Sequence, residues 1–328
     1  MFCFGDGCWY LWDNTRWVQD KSQQVFQLAI QAIWALGAWA KENWPVNQQQ
    51  QVAKWVTRSL DYQRISNLLK LAQSHRAIAA EQLDTDPWLL NCQNGTLDLK
   101  TGELRQHDLN DLITRILPVD HNLNAECPTW ERFLQEITDN DSELVNYLKR
   151  VVGYALTGNT SEHCMFLLYG TGANGKSTFL NVLKDLLGPF AKQAQADSLM
   201  VRRSEGARTD IARLAGARLV ITSESETNHK LAEGLVKQIT GGDTVTARHL
   251  YQEEFEFAPQ FKLFLATNRR PNIEGTDEGI WRRIHLIPFE VTIPADKRDK
   301  TLPDKLQGEL EGVLAWAVRG CLEPTSPR

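Results

Sequence analysis

The sequence lacks long apolar runs and a secretory leader. Its longest nearly unbroken apolar run covers residues 32–40, whereas a helix needs about 20 apolar residues to cross a bilayer. The first residues include Asp6, Asp13 and Asp20 and show no basic start followed by an apolar stretch, which is unlike a signal peptide. We therefore expect no membrane span and a cytoplasmic location.

Paired cysteines and an excess of basic charge are also missing. The six cysteines are scattered, with no C-x-x-C pair and no histidine at zinc spacing, so free thiols are expected. The net charge of −5 excludes a histone-like basic coat but not a local basic channel. With 328 residues, 42% hydrophobic and 23% charged, the composition is typical of a globular chain with two or three domains.

Tryptophan, by contrast, is concentrated in the N-terminal part. Nine of the eleven tryptophans lie in the first 130 residues, which indicates a separate unit, and burial in a core is the simplest expectation for them. The patterns predict a hairpin over 9–18, helices over 22–42, after the glutamine run 48–51 and over 62–76, and a small β-meander over 87–107. We predict a mainly α-helical N-terminal domain over residues 1–150.

The remainder, residues 151–328, alternates between strands and helices. Strands are predicted over 164–169, 219–223, 244–248, 255–258, 261–267 and 285–288, and helices over 176–187, 231–240 and about 306–321. Such interleaving predicts an α/β domain with a central, largely parallel sheet.

The strongest motif is a glycine-rich loop between a predicted strand and a predicted helix. Residues 170–177 read GTGANGKS and match G-x-x-x-x-G-K-[ST], in which backbone N–H groups surround phosphates at a helix N-terminus. Lys176 would reach the β- and γ-phosphates and Ser177 would bind Mg²⁺. The candidate ATP-binding residues are Gly170, Thr171, Gly172, Ala173, Asn174, Gly175, Lys176, Ser177 and Thr178.

Polar residues after two later strands complete the pattern. Glu224 and Glu226 follow the strand at 219–223 and, two residues apart, would face the same way in extended chain, toward the magnesium ion. A solvated acidic loop would give the same sequence. Asn268 ends the strand at 261–267 and could hold the attacking water, although Asn268-Arg269-Arg270-Pro271 also fits an ordinary turn.

Basic residues that could contact a phosphoryl group or DNA lie in three places. Arg282 and Arg283 precede the last strand, where one of them could act as an arginine finger toward a neighbouring subunit, or both could be solvated. Five arginines are scattered over 202–218. The hairpin predicted over 244–257 carries Arg248, His249 and Tyr251 near its tip, a combination suited to single-stranded DNA; a hairpin packed at a subunit edge would look similar.

Taken together, these motifs resemble those of superfamily 3 helicases, and more narrowly the phage and plasmid primase-helicases related to the poxvirus-type primase-helicase. The resemblance includes residues 94–98 and 153–158 upstream and so covers nearly the whole chain. The segments that carry it are 170–178, 223–226, 237–243, Arg248 and Tyr251, 266–268 and 281–283.

The resemblance implies an AAA+-like P-loop ATPase that forms a hexameric ring, hydrolyses ATP with Mg²⁺ between subunits and pulls one DNA strand through its centre. It implies that Lys176 and Ser177 bind phosphate and magnesium, and that Glu224 and Glu226 are the Walker B acids, with Glu224 near the metal. It further implies that Asn268 is a sensor and that Arg283, or else Arg282, is the finger. Arg248 and His249 would lie on the pore hairpin, and Lys237 matches a family position without an assigned role.

The expected function is therefore ATP-dependent unwinding of single-stranded or forked DNA during replication of a phage, plasmid or viral-type element, in the cytoplasm and with a separate primase or polymerase as partner. Ser225 separates acids that are adjacent in many superfamily 3 members, which leaves open which glutamate activates water. No polymerase region precedes the motifs and no winged-helix region follows them, as in a split-gene subunit or a fragment. The alternatives are a nucleotide-regulated initiator or scaffold on DNA and, less well matched, a packaging-type ATPase.

Overall fold

The computed structural model describes residues 1–195, 198–200, 209–223, 231–248, 254–268 and 278–323. Contacts within the chain divide it into two compact units. The first unit is Met1–Thr85 with Asp108–Thr114, and the second is Asp86–His107 with Arg115–Arg328.

The first unit combines three helices with a small sheet. Its elements are β1 (Phe2–Cys3), β2 (Cys8–Trp12), β3 (Trp17–Gln19), α1 (Gln24–Asn43), α2 (Gln49–Ser59), α3 (Tyr62–His75) and β4 (Ala77–Ile78). The sheet order is β3-β2-β1-β4, and β2 pairs antiparallel with β3, as predicted for the hairpin. The Asp61 side chain accepts hydrogen bonds from the backbone N–H groups of Gln63 and Arg64 and thereby caps α3.

Burial of the N-terminal tryptophans, expected from the sequence, is wrong for four of them. Trp34, Trp39, Trp44 and Trp55 are exposed, while Trp130 is fully buried. The reason is steric, because α1 packs on α2 through small residues. A Cβ added to Gly37 would lie 2.5 Å from the Cγ2 atom of Val56, so the interface between these helices has no room for indole rings.

The second unit begins with the predicted β-meander and two helices. These elements are β5 (Leu89–Cys92), β6 (Gly95–Asp98), β7 (Leu104–Arg105), α4 (Pro128–Ile137) and α5 (Ser142–Leu156). β5 pairs antiparallel with β6, and β6 with β7. Residue 150, the expected domain boundary, lies inside α5, which packs against the last helix of the chain (Leu310–Leu322).

The remaining elements form an α/β layer structure, as predicted. They are β8 (Met165–Tyr169), α6 (Lys176–Leu187), β9 (Ala191–Gln195), α7 (Thr209–Ala212), β10 (Leu219–Ser223), α8 (Glu233–Thr240), β11 (Val245–Arg248), β12 (Glu254–Phe257), β13 (Lys262–Thr267), α9 (Glu278–Trp281), β14 (Ile284–Pro288), α10 (Leu302–Gln307) and α11 (Leu310–Leu322). The helix expected near 306–321 is thus two helices, which meet at Gly308 and Glu309.

Five strands form one sheet in the order β14-β8-β13-β10-β9, and all four pairings are parallel. Successive residues of a strand point to opposite faces, and both faces are covered. Phe166 and Leu168 join the core that contains α4, α5, α6 and α11, while Met165 and Leu167 join a second core with α8. This burial on both faces explains the continuously apolar strand sequences.

All six cysteines are free. In the part of the chain that the structure describes, no helix is long and apolar enough to span a membrane.

Candidate nucleotide-binding site

The glycine-rich loop lies between β8 and α6, at the carboxyl end of the sheet. Three of its residues have left-handed backbone conformations, Gly172 (φ 110°), Ala173 (φ 51°) and Gly175 (φ 82°). Gly170 is required for another reason, since a Cβ there would lie 2.1 Å from the carbonyl oxygen of Phe289. The loop is therefore a compact curl at the start of a helix, the local geometry expected of a phosphate-binding loop.

Lys176 is folded back onto the loop. Its Nζ donates to the Gly170 carbonyl oxygen (2.7 Å) and to Asn174 Oδ1 (3.0 Å). The side chain is buried, and burial lowers its pKa from the ordinary value for lysine. Ser177 and Thr171 are exposed, so their hydroxyl groups are accessible to a ligand.

The chain that follows β14 holds the loop in place. Asn174 Nδ2 donates to the Phe289 carbonyl oxygen at 2.8 Å, with both groups buried. The backbone N–H of Ile293 donates to the Ala173 carbonyl oxygen at 2.8 Å. Asn174 thus links Lys176 to the chain that follows β14, a role that the G-x-x-x-x-G-K-[ST] pattern does not reveal because it leaves this position unspecified.

The neighbouring strand ends lie at the same edge of the sheet. β13 is between β8 and β10, and Thr267 pairs with Tyr169 while Ser223 pairs with Ala266. Asn268, which is exposed, follows β13 directly beside the start of the glycine-rich loop. Glu224 and Glu226 follow Ser223 in the sequence but lie outside the described residues.

The arginine pair lies at the opposite edge. Ile284 pairs with Met165 and Pro288 with Tyr169, so Arg282 and Arg283 precede β14 at the amino ends of the strands. Five residues at about 3.3 Å each separate them from the loop by about 16 Å. Arg283 Nη1 donates to the His163 carbonyl oxygen at 3.4 Å, whereas Arg282 is exposed.

The predicted hairpin is formed by β11 and β12, with Arg248 paired with Glu254 next to its tip. The Arg248 side chain is exposed. His249 and Tyr251 lie outside the described residues, as do Arg202, Arg203 and Arg208.

One arginine of the stretch over 202–218 does not form a nucleic-acid surface. Arg218 is buried, and its Nη1 and Nη2 atoms donate to the carbonyl oxygens of Leu156 and Leu89, each at 2.6 Å. Its guanidinium also lies over the Phe190 ring, 5.0 Å from the centroid. Arg218 therefore caps the carboxyl end of α5. This role is visible only from contacts between residues far apart in the sequence.

Fold and loop together define an α/β protein with a glycine-rich loop at the carboxyl edge of a five-stranded parallel sheet. Residues 1–139 match the family described as D5 N terminal like. Residues 168–283 match a family of unknown function (DUF5906).

The curated relatives come from large DNA viruses. A putative helicase of Acanthamoeba polyphaga mimivirus is 34% identical over 63% of this chain and 22% of its own length. A putative helicase of Frog virus 3 is 26% identical over 76% of this chain and 26% of its own length. Primase D5 of Fowlpox virus is 24% identical over 66% of this chain and 29% of its own length. The chain is thus similar to viral proteins named helicase or primase D5, and it spans about a quarter of the length of these relatives.

Among solved structures, the apo C-terminal region of NrS-1 matches with a TM-score of 0.49 and 12% identity, over 70% of this chain and 65% of that one.

Proposed function

We propose that this chain is the ATPase part of a DNA helicase that acts in replication of a phage, plasmid or viral-type element, as a hexameric ring of AAA+-like superfamily 3 subunits. The observation that carries the proposal is the strand order. β13, which Asn268 follows directly, lies between the strand of the glycine-rich loop and the strand that precedes Glu224. A phosphate-binding loop, an amide and carboxylates at one sheet edge are the groups that ATP hydrolysis requires.

The residues of the loop fit a nucleoside triphosphate with bound magnesium. Gly170 and Gly175 are needed because a Cβ at either position would collide with neighbouring atoms. The Lys176 ammonium group donates to two acceptors within the loop. When a nucleotide binds, phosphate oxygens can take the place of these acceptors. Ser177 and Glu224 would hold Mg²⁺, which would neutralise charge on the phosphates. Glu224 or Glu226 would orient the attacking water, with Asn268 beside it.

We further propose that the finger acts on a neighbouring subunit's ATP. The distance of about 16 Å along the sheet puts both arginines out of reach of their own loop. Arg282 is the better candidate, because Arg283 is half-buried and donates to the His163 carbonyl oxygen. An arginine supplied by another subunit stabilises charge that develops on the transferred phosphoryl group.

DNA contacts would come from the β11–β12 hairpin, through Arg248, His249 and Tyr251. The relatives named helicase and primase support a role on DNA, with a separate primase or polymerase as a possible partner of the ring.

The first test is ATP hydrolysis by the purified chain with and without single-stranded DNA. Lys176→Ala should abolish turnover, and Lys184→Ala, an exposed lysine on the same helix, is the matched control that should retain it. Stimulation by DNA, followed by unwinding of a forked duplex, would support the helicase. Turnover that ignores DNA would favour the nucleotide-regulated initiator or scaffold, and normal turnover in Lys176→Ala would refute the site.

The finger is tested by mixing two inactive variants. Arg282→Ala has an intact loop and Lys176→Ala has an intact arginine, so a mixed ring contains some complete interfaces and should recover part of the activity. Recovery with Arg283→Ala instead of Arg282→Ala would reverse the assignment. Absence of recovery in rings of normal size would contradict action between subunits.

A further inference from the structure

The second unit contains a hydrogen bond between two side chains that neither the motifs nor the proposed ATP site includes. The Tyr147 hydroxyl of α5 is hydrogen-bonded to His285 Nδ1 of β14 at 2.9 Å. The two rings are also stacked, with centroids 6.4 Å apart and an angle of 14° between their planes. Burial raises the pKa of Tyr147 and lowers the pKa of His285, so both groups are neutral near pH 7. The contact therefore joins α5 to β14 without a charge.

This contact is important because β14 has a neighbouring strand on one side only. Among the described strands, β14 is at the edge of its sheet and pairs with β8 alone. His285 is the only polar residue of β14, whose sequence is IHLIP. Just before the strand, the Arg283 carbonyl oxygen accepts from the Met165 N–H at 2.7 Å, which fixes one side of the chain. The contact between His285 and Tyr147 fixes the face of β14 that α5 covers.

Arg282, the candidate finger, lies three residues before His285. Its backbone N–H donates to the Glu278 carbonyl oxygen at 3.1 Å, at the end of α9, and Ile280 of that helix is buried in the second core. The Arg282 side chain is exposed, so the place of its guanidinium group depends on the backbone that carries it. α9 holds this backbone at one end and β14 at the other. A shift of β14 against α5 would therefore move Arg282.

We propose that Tyr147 and His285 are positioning residues, which hold the start of β14 so that Arg282 reaches the ATP of the neighbouring subunit. This inference rests on the proposed function, and specifically on the action of Arg282 between subunits. A displacement of about 1 Å at a reacting group can lower a rate by about a hundredfold, so the contact affects hydrolysis without touching ATP. The alternative is a contact that only stabilises the subunit in which it lies.

The first test is Tyr147→Phe in the full chain, a change that removes the hydroxyl group and keeps the ring. With single-stranded DNA present, kcat for ATP hydrolysis should fall by about fivefold to a hundredfold. KM for ATP and the affinity for a fluorescent ATP analogue should be unchanged, because the arginine acts on charge that develops during phosphoryl transfer. His285→Phe, which removes the ring nitrogen instead, should show the same loss.

Tyr154→Phe is the matched control. Tyr154 is another half-buried tyrosine of α5, but its hydroxyl accepts from the Glu162 N–H at 3.3 Å instead of contacting β14. Its removal should leave kcat unchanged.

Mixed rings separate positioning from a structural role. Lys176→Ala subunits lack a working loop but have Tyr147 and Arg282 intact. Next to such a neighbour, a Tyr147→Phe subunit receives a correctly placed arginine, so its turnover should rise toward that of a wild-type subunit in the same excess of Lys176→Ala. A subunit that is merely destabilised would not be corrected by its neighbour.

A double variant gives an independent result within uniform rings. Adding Tyr147→Phe to Arg282→Ala should lower the residual turnover no further, because both changes remove the same interaction. A further loss in the double variant, or unchanged kcat in both Tyr147→Phe and His285→Phe, would overturn the inference. Failure of the proposed finger is distinguishable, because Arg282→Ala would then retain full turnover.

Discussion

Replacing Gly175 with alanine tests how closely the glycine-rich loop packs against helix α4. Gly175 has a left-handed backbone (φ 82°), and an added Cβ would lie 2.5 Å from Ile137 Cγ2 and 3.1 Å from the Phe133 ring. The left-handed conformation costs a non-glycine residue about 1–2 kcal/mol. Overpacking costs about 1–3 kcal/mol more, because Ile137 and Phe133 are fully buried and cannot move aside.

The matched control is Gly172→Ala in the same loop. Gly172 also has a positive φ (110°), but no atom lies within 4 Å of its added Cβ. It should therefore show the conformational cost alone, and the difference between the two variants should be the packing cost of about 1–3 kcal/mol.

Hydrogen exchange of α6 amides, read by mass spectrometry, measures this difference locally, which matters because a chain with two units need not unfold in one step. ATP affinity, measured with a fluorescent analogue, should fall in both variants and fall further in Gly175→Ala. Equal protection of α6 in the two variants would refute the packing argument.

Three other changes give separable outcomes. Asn174→Ala leaves the buried Phe289 carbonyl oxygen without its donor and should lower the free energy of unfolding by about 1–3 kcal/mol; unchanged thermal stability would contradict the brace. Burial, reinforced by Arg218, lowers the pKa of Lys262 well below that of a free lysine, so between the two pKa values the unfolded chain holds a proton that the folded chain lacks. Stability should rise with pH across that window, which lies below the pKa of a free lysine, and denaturation of Lys262→Met at the same pH values should show a smaller rise; an equal rise would mean that Lys262 does not contribute. Gly153→Ala places a Cβ 2.3 Å from a backbone nitrogen of α11 and should cost about 1–3 kcal/mol in denaturant titrations; an unaffected midpoint would show that the two helices can separate cheaply.

Local pattern was sufficient for most elements of the fold. The bounds predicted for the helix at 176–187 and the strand at 219–223 coincide with α6 and β10. These bounds could be predicted because they depend on local signals, the apolar periodicity and the glycine at each end of α6. β9 (Ala191–Gln195) was not predicted. It is an edge strand with mostly polar, partly exposed residues. Its hydrogen bonds to β10 stabilise the extended conformation, which its own sequence pattern does not indicate.

The burial of individual side chains was less predictable than the elements that carry them. Tryptophan composition indicated a core, yet the α1–α2 seam is built from smaller residues. Arg218 belongs to a stretch of arginines that suggested a basic surface, yet it is buried, as is Lys262, and both donate to backbone carbonyl oxygens, Lys262 to those of Thr157 and Asn159. Such contacts join residues about 60 to 130 positions apart, which no local pattern encodes.

The sequence by itself determined the glycine-rich loop, its position between a strand and a helix, and the similarity to viral proteins named helicase or primase D5, because these depend on contiguous residues. Only the tertiary structure decided that β13 lies between β8 and β10, that Asn174 joins Lys176 to the chain after β14, and that Arg282 and Arg283 lie at the far edge of the sheet from their own loop. Strand order and register follow from long-range pairing and from packing both faces of the sheet, and these are properties of the folded chain as a whole.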